Sequence, residues 1–310
     1  MHRNPSFKAY LALAAVYFFW GTTYLGIRMS LESFPPLALV AIRFTAAGAL
    51  LLAGSRAAGA HLPRGRELKV AALTGIVVLG IGNGALVYAE TWIPSGLAAL
   101  IITVSPFWMV GIEALMPGGE RLNRATILAM LVGCAGAALL VSSDAAGGGF
   151  GGPILQGFFV LQLGSIAWSA GSLYQRRQPA LAHPIVTGGV QNLAAGLAFA
   201  LLALAIPEQP IHPTFRGVAA LIYLIIFGSI VGYSAYIYSL AHLRVAVAST
   251  YSYVNPVVAV FLGWLFYREH FGPREAIGML VIFAGVALVK RYSPKHEPKP
   301  AAAPAGARTE

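Results

Sequence analysis

Charge is scarce in this chain. Asp, Glu, Lys and Arg make up 10% of 310 residues, with 11 carboxylates against 21 Lys and Arg. A soluble domain of this length needs more polar surface to face water, so a water-exposed globule is excluded. Cysteine is nearly absent. Cys134 stands alone, so there is neither a disulfide framework nor a thiol pair for redox chemistry. His61, His183, His212, His242 and His270 fall in loops or at the ends of apolar blocks, without metal-ligand spacing. His-Glu-x-x-His, Gly-x-Ser-x-Gly and paired intramembrane aspartates are missing too. Catalysis therefore has no visible residues, and no cofactor or metal is expected. The Gly-rich stretch from Ser142 to Pro153 lacks a following Lys-Ser/Thr, so it reads as a flexible linker and not as a phosphate cradle. A basic domain interleaved with aromatics is also missing, so the net charge of +10 does not point to nucleic acid.

What the chain has is long hydrophobic runs. Hydrophobic residues make up 57% of it, and the mean hydropathy is +0.71. Ten apolar blocks run over 8–28, 35–54, 70–91, 94–116, 125–142, 154–174, 185–206, 218–240, 246–267 and 276–290. Most can cross a hydrocarbon layer of ~30 Å at ~1.5 Å per residue. Helix is forced, because backbone groups find no water to bond inside lipid. The first block is longer than a signal-peptide core and ends in Gly-Ile-Arg, which predicts a retained first helix. With the N-terminus inside, the outer loops hold Arg28, Arg216, Arg268 and Arg274. The remaining loop and tail Lys and Arg, such as Arg56, Arg64, Arg66, Arg121, Arg124 and Arg176, fall inside. That asymmetry predicts a multi-pass protein of the bacterial inner (cytoplasmic) membrane with both termini cytoplasmic. Its tail, 293–310, is rich in Pro, Ala and Lys and is predicted to be disordered.

The second five blocks echo the first five. At an offset of 148, Trp20 meets Trp168, Arg28 meets Arg176, Pro36 meets Pro184, and Ala46-Ala47-Gly48 meets Ala194-Ala195-Gly196. At 149, Glu120 meets Glu269 and Ala135-Gly136 meets Ala284-Gly285; at 150, Pro106 meets Pro256. A unit of five spans is odd, so its second copy must enter the bilayer from the opposite side. The expected fold is all-α: ten transmembrane helices as two inverted five-helix repeats, 8–142 and 154–290, around a central cavity. Inverted repeats of this kind characterise carriers that open to one side and then the other, with the substrate held near the midplane.

Counting ~1.5 Å per residue from each block's edge brings Trp20, Arg43, Asn83, Pro106, Tyr233, Tyr251, Asn255 and Pro256 toward one slab of the bilayer. Tyr24 shares a face with Trp20, and Asn255 with Tyr251; Trp168 and Tyr236 also lie deep. Rings with a few amides suit a ligand with an apolar body and a polar head. Pro106 and Pro256 free the carbonyls of Ile102 and Ser252, either as plain kinks or as site-lining groups. Arg43 is the most demanding residue, because a guanidinium at that depth costs at least ~2.5–3.5 kcal/mol. It either binds a substrate carboxylate or pairs with Glu90 as a structural lock. Glu90 and Glu113 are the candidates for a gate or for proton coupling. Glu90 falls near the outer boundary, where exposure makes a carboxylate cheap, and Glu113 can snorkel or pair with Arg121 or Arg124. Gly80 with Gly84, and Gly228 with Gly232, form matching small faces for close packing or hinging. Trp92, Trp264, Tyr267 and Tyr292 are expected as interfacial anchors.

These features resemble the EamA family of the drug/metabolite transporter superfamily over residues 8 to 290. The resemblance rests on Trp20-Gly21, Arg43-Phe44, Ser105-Pro106 and Asn255-Pro256, with Glu120 and Glu269 each sixteen residues before Gly136 and Gly285. Gly82-Asn83-Gly84, Ala89-Glu90 and Pro94-Ser95-Gly96 are similar to the YedA-like exporter subgroup. The resemblance implies ten helices around a cavity and secondary export of amino acids or other small metabolites. Its rivals are an uncoupled facilitator and a non-transporting membrane subunit or sensor. The expected partners are a small-molecule substrate and the lipid bilayer; the sequence leaves oligomeric state open.

Overall fold

A computed structural model describes residues 5–119, 123–148, 152–178, 182–243, 245–249 and 251–292. Glu120, Arg121 and the tail from 293 lie outside the described residues. All regular structure among the described residues is helical. The helices are α1 (Pro5–Leu31), α2 (Pro36–Ala57), α3 (Gly65–Ala89), α4 (Ser95–Ile102), α5 (Ser105–Leu115) and α6 (Arg124–Gly148) in the first half. The second half has α7 (Pro153–Arg176), α8 (Pro184–Ala205), α9 (Phe215–His242), α10 (Val245–Ala248), α11 (Tyr251–Tyr267) and α12 (Pro273–Tyr292). Seven stretches of the described chain are long and apolar enough to cross a membrane, and Arg124–Gly136 and Val254–Tyr267 are shorter apolar helices. The exterior carries large apolar side chains: Leu115 is 87% exposed, Leu204 86% and Phe215 92%. Such a surface fits lipid and not water.

Several helix starts are written locally. Proline opens the first turn of α2, α5, α7 and α8, where its missing N–H costs nothing. Thr214 caps α9 by accepting from the Gly217 amide. Some boundaries differ from the sequence reading, and the block 246–267 is divided between α10 and α11. α6 runs on to Gly148, through half of the stretch read as a linker from Ser142; Ala145 and Ala146 there are strong helix formers, and the first glycines of that stretch come only at the helix's end. The block 94–116 breaks at Thr103–Val104, where Pro106 withholds a donor from the Ile102 carbonyl and the chain tightens into short-range turns. Pro256, its partner by repeat, sits inside an uninterrupted α11. Equivalent prolines thus have different effects.

The two halves interlock by reciprocal crossings. α2 packs along α8, and α6 along α12. At the first crossing a Cβ on Gly48 would strike the Leu193 backbone, and one on Gly196 would strike the Thr45 backbone. At the second, Gly136 abuts Gly278 and Ile282 while Gly285 abuts Ala129 and Gly133. Each residue thus meets its neighbour's repeat counterpart, the pattern a two-fold axis produces. α3 against α7 and α1 against α9 add two further cross-half contacts.

Carboxylates tie the ends. Glu208 accepts from the Leu37 and Ala38 amides at 2.8 and 3.0 Å, at the start of α2. Glu67 accepts from the Ala182 amide at 2.8 Å, just before α8. Glu269 accepts from the amides of Ser95 (3.0 Å) and Gly96 (2.9 Å) and the Ser95 hydroxyl (2.8 Å), at the start of α4. Glu208 and Glu269 satisfy orphan first-turn amides of a helix from the other half, and all three place negative charge near the positive dipole end of such a helix.

Candidate substrate cavity

Two matching stretches of π-helix, Ile76–Asn83 within α3 and Leu224–Gly232 within α9, lie at the centre of the bundle. π turns are rare and favour functional sites, because the widened turn rotates side chains off the usual register. Here one presents Asn83 and the other Ser229, and both meet Arg43. The Arg43 Nε donates to Ser229 Oγ at 2.9 Å and Nη1 donates to Asn83 Oδ1 at 3.2 Å. Its guanidinium also lies 4.9 Å from the Phe44 ring centroid. Gly228 leaves room for it, since a Cβ there would come within 2.9 Å of Nη2.

Around this centre is a cavity lined from both halves: α1, α2, α3, α4, α5, α7, α9 and α11 all contribute. Its volume is about 70 Å³. That is small for a space touched by eight helices, so the walls pack closely. Trp20, Tyr24, Arg43, Asn83, Trp168, Tyr233, Tyr251 and Asn255 all line it. Pro106 and Pro256 do not, but the residues before them, Ser105 and Asn255, do.

One wall is an aromatic cluster. Trp20 meets Trp168 edge-on at 5.4 Å and Tyr251 edge-on at 5.2 Å between centroids. Tyr236 lies behind these rings, 5.1 Å from Trp20 and 5.3 Å from Trp168, and is packed beneath the lining. Its hydroxyl accepts from Trp168 Nε1 and donates to Ser172. Trp20 Nε1 donates to the Gly228 carbonyl at 2.9 Å, tying α1 to the widened turn of α9. The Tyr233 hydroxyl is buried with no hydrogen-bond partner among the described residues. The Asn255 amide, in the orientation that satisfies both its atoms, donates to the Tyr251 and Tyr17 carbonyls.

Ser229, Thr23 and Ser165 escaped the sequence reading, and Ser105, which donates to Ser165, was noted there only as part of a motif. Ser229 sits between Gly228 and Gly232, so the small-residue face was the available signal. Those small faces do pack closely: Gly80 and Gly84 receive the Phe199 ring, and Gly232 the Trp20 indole.

Glu90 departs from expectation. It follows the last residue of α3 and is fully buried, not exposed at a boundary, and neither side-chain oxygen has a hydrogen-bond partner among the described residues. Arg43 reaches neutral oxygens instead of it, and Arg28 Nη1 bonds only its backbone carbonyl, at 2.8 Å. Glu90 lies outside the cavity lining, as does the half-buried Glu113 on α5. Tyr267 is more than an anchor: its hydroxyl donates to Glu32, and Arg28 and Arg216 sit 5.7 and 4.8 Å from its ring centroid.

Comparison with known proteins agrees with this architecture. The model of the EamA-like transporter family matches residues 7–142 and again 155–291. The chain is 36% identical over 295 residues to the "uncharacterized inner membrane transporter YedA" of Escherichia coli strain K12, covering 94% of each. It is 28% identical over 292 residues to a "probable terminal-alkyne amino-acid exporter" of Streptantibioticus cattleyicolor, covering 92% of this chain and 94% of that one. Over 202 residues it is 28% identical to the "aromatic amino acid exporter YddG" of Ancylobacter novellus, covering 65% of this chain and 70% of that one. A solved crystal structure 23% identical in sequence superposes with a TM-score of 0.67 over 92% of this chain and 98% of its own, which shows the fold. The chain belongs to the EamA-like transporter family, and is a multi-pass membrane transporter.

Proposed function

We propose that this protein is a secondary carrier that exports small metabolites, such as amino acids or drug-like compounds, across the cytoplasmic membrane by alternating access. Its halves, 8–142 and 154–290, act as inverted five-helix repeats, ten spans in all, with both termini cytoplasmic. The observation that carries this reading is one cavity lined by both halves where two matching π-distorted helices meet. The reciprocal glycine crossings support it, because packed halves related in this way rock about a shared site. The names of two relatives support the metabolite class. The cavity residues Trp20, Tyr24, Arg43, Asn83, Trp168, Tyr233, Tyr251 and Asn255 form the substrate site, with Tyr236 backing it. Glu90 is the group we assign to proton coupling, since its buried carboxyl has no hydrogen-bond partner among the described residues.

Flux into proteoliposomes, with and without a pH gradient, tests both parts. Saturable uptake that follows the gradient, and loses that dependence in Glu90→Gln, is the expected result. Gradient-independent flux reduces the protein to a facilitator, and absence of saturable flux across a metabolite panel overturns the carrier.

A further inference from the structure

Arg43 is the charged residue of the cavity: among the described residues that line it there is no Asp, Glu, Lys or second Arg. Arg43 is 3% exposed, and the two hydrogen bonds its guanidinium donates go to a hydroxyl and an amide oxygen. Neither cancels its charge. Glu90 acts on it only through space, from outside the lining and without a hydrogen bond. Buried charges are ordinarily paired, and a guanidinium matches a planar carboxylate through two parallel N–H donors. The same cavity is lined by the rings of Trp20, Trp168, Tyr233 and Tyr251, which bind an apolar body without charge.

We infer that the substrate is an organic monocarboxylate with an apolar or ring-bearing body, its carboxylate on Arg43, and that an amino group on it is not required for recognition. The inference rests on the cavity being the transport site. It narrows the metabolite class to acids, because a cavity with one cation and no carboxylate among the described lining residues offers an ammonium group only uncharged rings, hydroxyls, amides and carbonyls while Arg43 repels it. An amino acid then binds through its acid end, and its deaminated analogue binds nearly as well.

The test is ligand binding to the full chain in lipid nanodiscs, read by tryptophan fluorescence and by the thermal midpoint. Four probes share one ring: phenylalanine, 3-phenylpropionate, phenylalaninamide and phenethylamine. Indole-3-propionate and 4-methylpentanoate, each with its amide, vary the body. The expected result is that acids bind with or without the amino group, within about tenfold of each other, and that amides and the amine bind roughly a hundredfold more weakly, the loss of one charge-assisted bond. Arg43→Gln removes the preference for acid over amide, and Arg43→Lys retains part of it. Acids and amides binding alike in the wild type, a preference for the amine, or no binding by any acid overturns the inference. So does an acid preference that survives Arg43→Gln. The wild-type comparison needs no variant, so the inference stays open to refutation even where Arg43→Gln fails to fold. Binding without flux sinks the carrier reading alone, whereas flux of neutral or cationic compounds with no acid bound sinks this inference alone.

Discussion

Glu269 holds the start of α4 from the end of α11, and its removal should release one end of the bundle. Its carboxylate accepts two backbone amides and a hydroxyl, all within 3.0 Å. Other contacts cluster at the same end: Arg28 on the Glu90 carbonyl, Tyr267 between two arginines, and the Ser33 hydroxyl bonded to that of Thr214. Glu269→Gln keeps one acceptor oxygen but loses the negative charge at a helix N-terminus and one charge-assisted bond. Together these are worth about 2 kcal/mol. Under alternating access these bonds exist only while this end is closed, so the whole loss moves the equilibrium toward opening here, by about thirtyfold at 1.4 kcal/mol per tenfold. The assay is thiol labelling in sealed, oriented vesicles. Cys134 is exposed and is first replaced by Ser, after which Ser165→Cys places one thiol on the cavity wall. A membrane-impermeant maleimide added on the Glu269 side should label about thirtyfold faster in the Glu269→Gln background. Labelling within twofold of the parent, with an unchanged thermal midpoint, refutes the lock. Faster labelling from the opposite side refutes the placement of the gate.

Four further variants test the packing and the backbone. Gly48→Val should abolish folded, monodisperse protein, because its side chain overlaps the Leu193 backbone; Gly54→Ala, in open space on the same helix, should raise the thermal midpoint by about 0.5–1 kcal/mol equivalent. Arg268 adopts φ 52°, with the Glu269 amide bonded back to the Gly263 carbonyl. Left-handed backbone costs a non-glycine residue ~1–2 kcal/mol, so Arg268→Gly should be neutral to mildly stabilising, by about 0.5–1 kcal/mol after glycine's own entropy, as read by thermal unfolding. Ser229→Ala takes an acceptor from a buried guanidinium and should lower stability by about 1.5–3 kcal/mol in the same measurement.

The fold was more legible than the site because the two depend on different information. Duplication leaves matched residues at a steady offset, and Gly48 with Gly196, noticed as a match in the sequence, are also where α2 and α8 touch. Depth, too, can be counted along a helix, and counting brought Trp20, Arg43 and Asn83 to one level. Rotation cannot be counted once the helical period changes. The π turns re-aim Asn83 and Ser229 at Arg43, and nothing in Ile76–Asn83 announces the widened turn beyond its glycines. Partner identity was the other gap. Glu269 was read as a motif residue before the last helix, yet it acts on Ser95, 174 residues away. Glu90 was placed at a boundary by depth alone, and depth says nothing of the helices that cover it. The same limit explains the prolines: each removes one hydrogen bond, but only tertiary packing decides that α4 and α5 separate while α11 stays whole. A cavity built on such departures from periodicity is therefore visible from sequence as a level in the membrane, and becomes a binding site only when the neighbours of Arg43 are known.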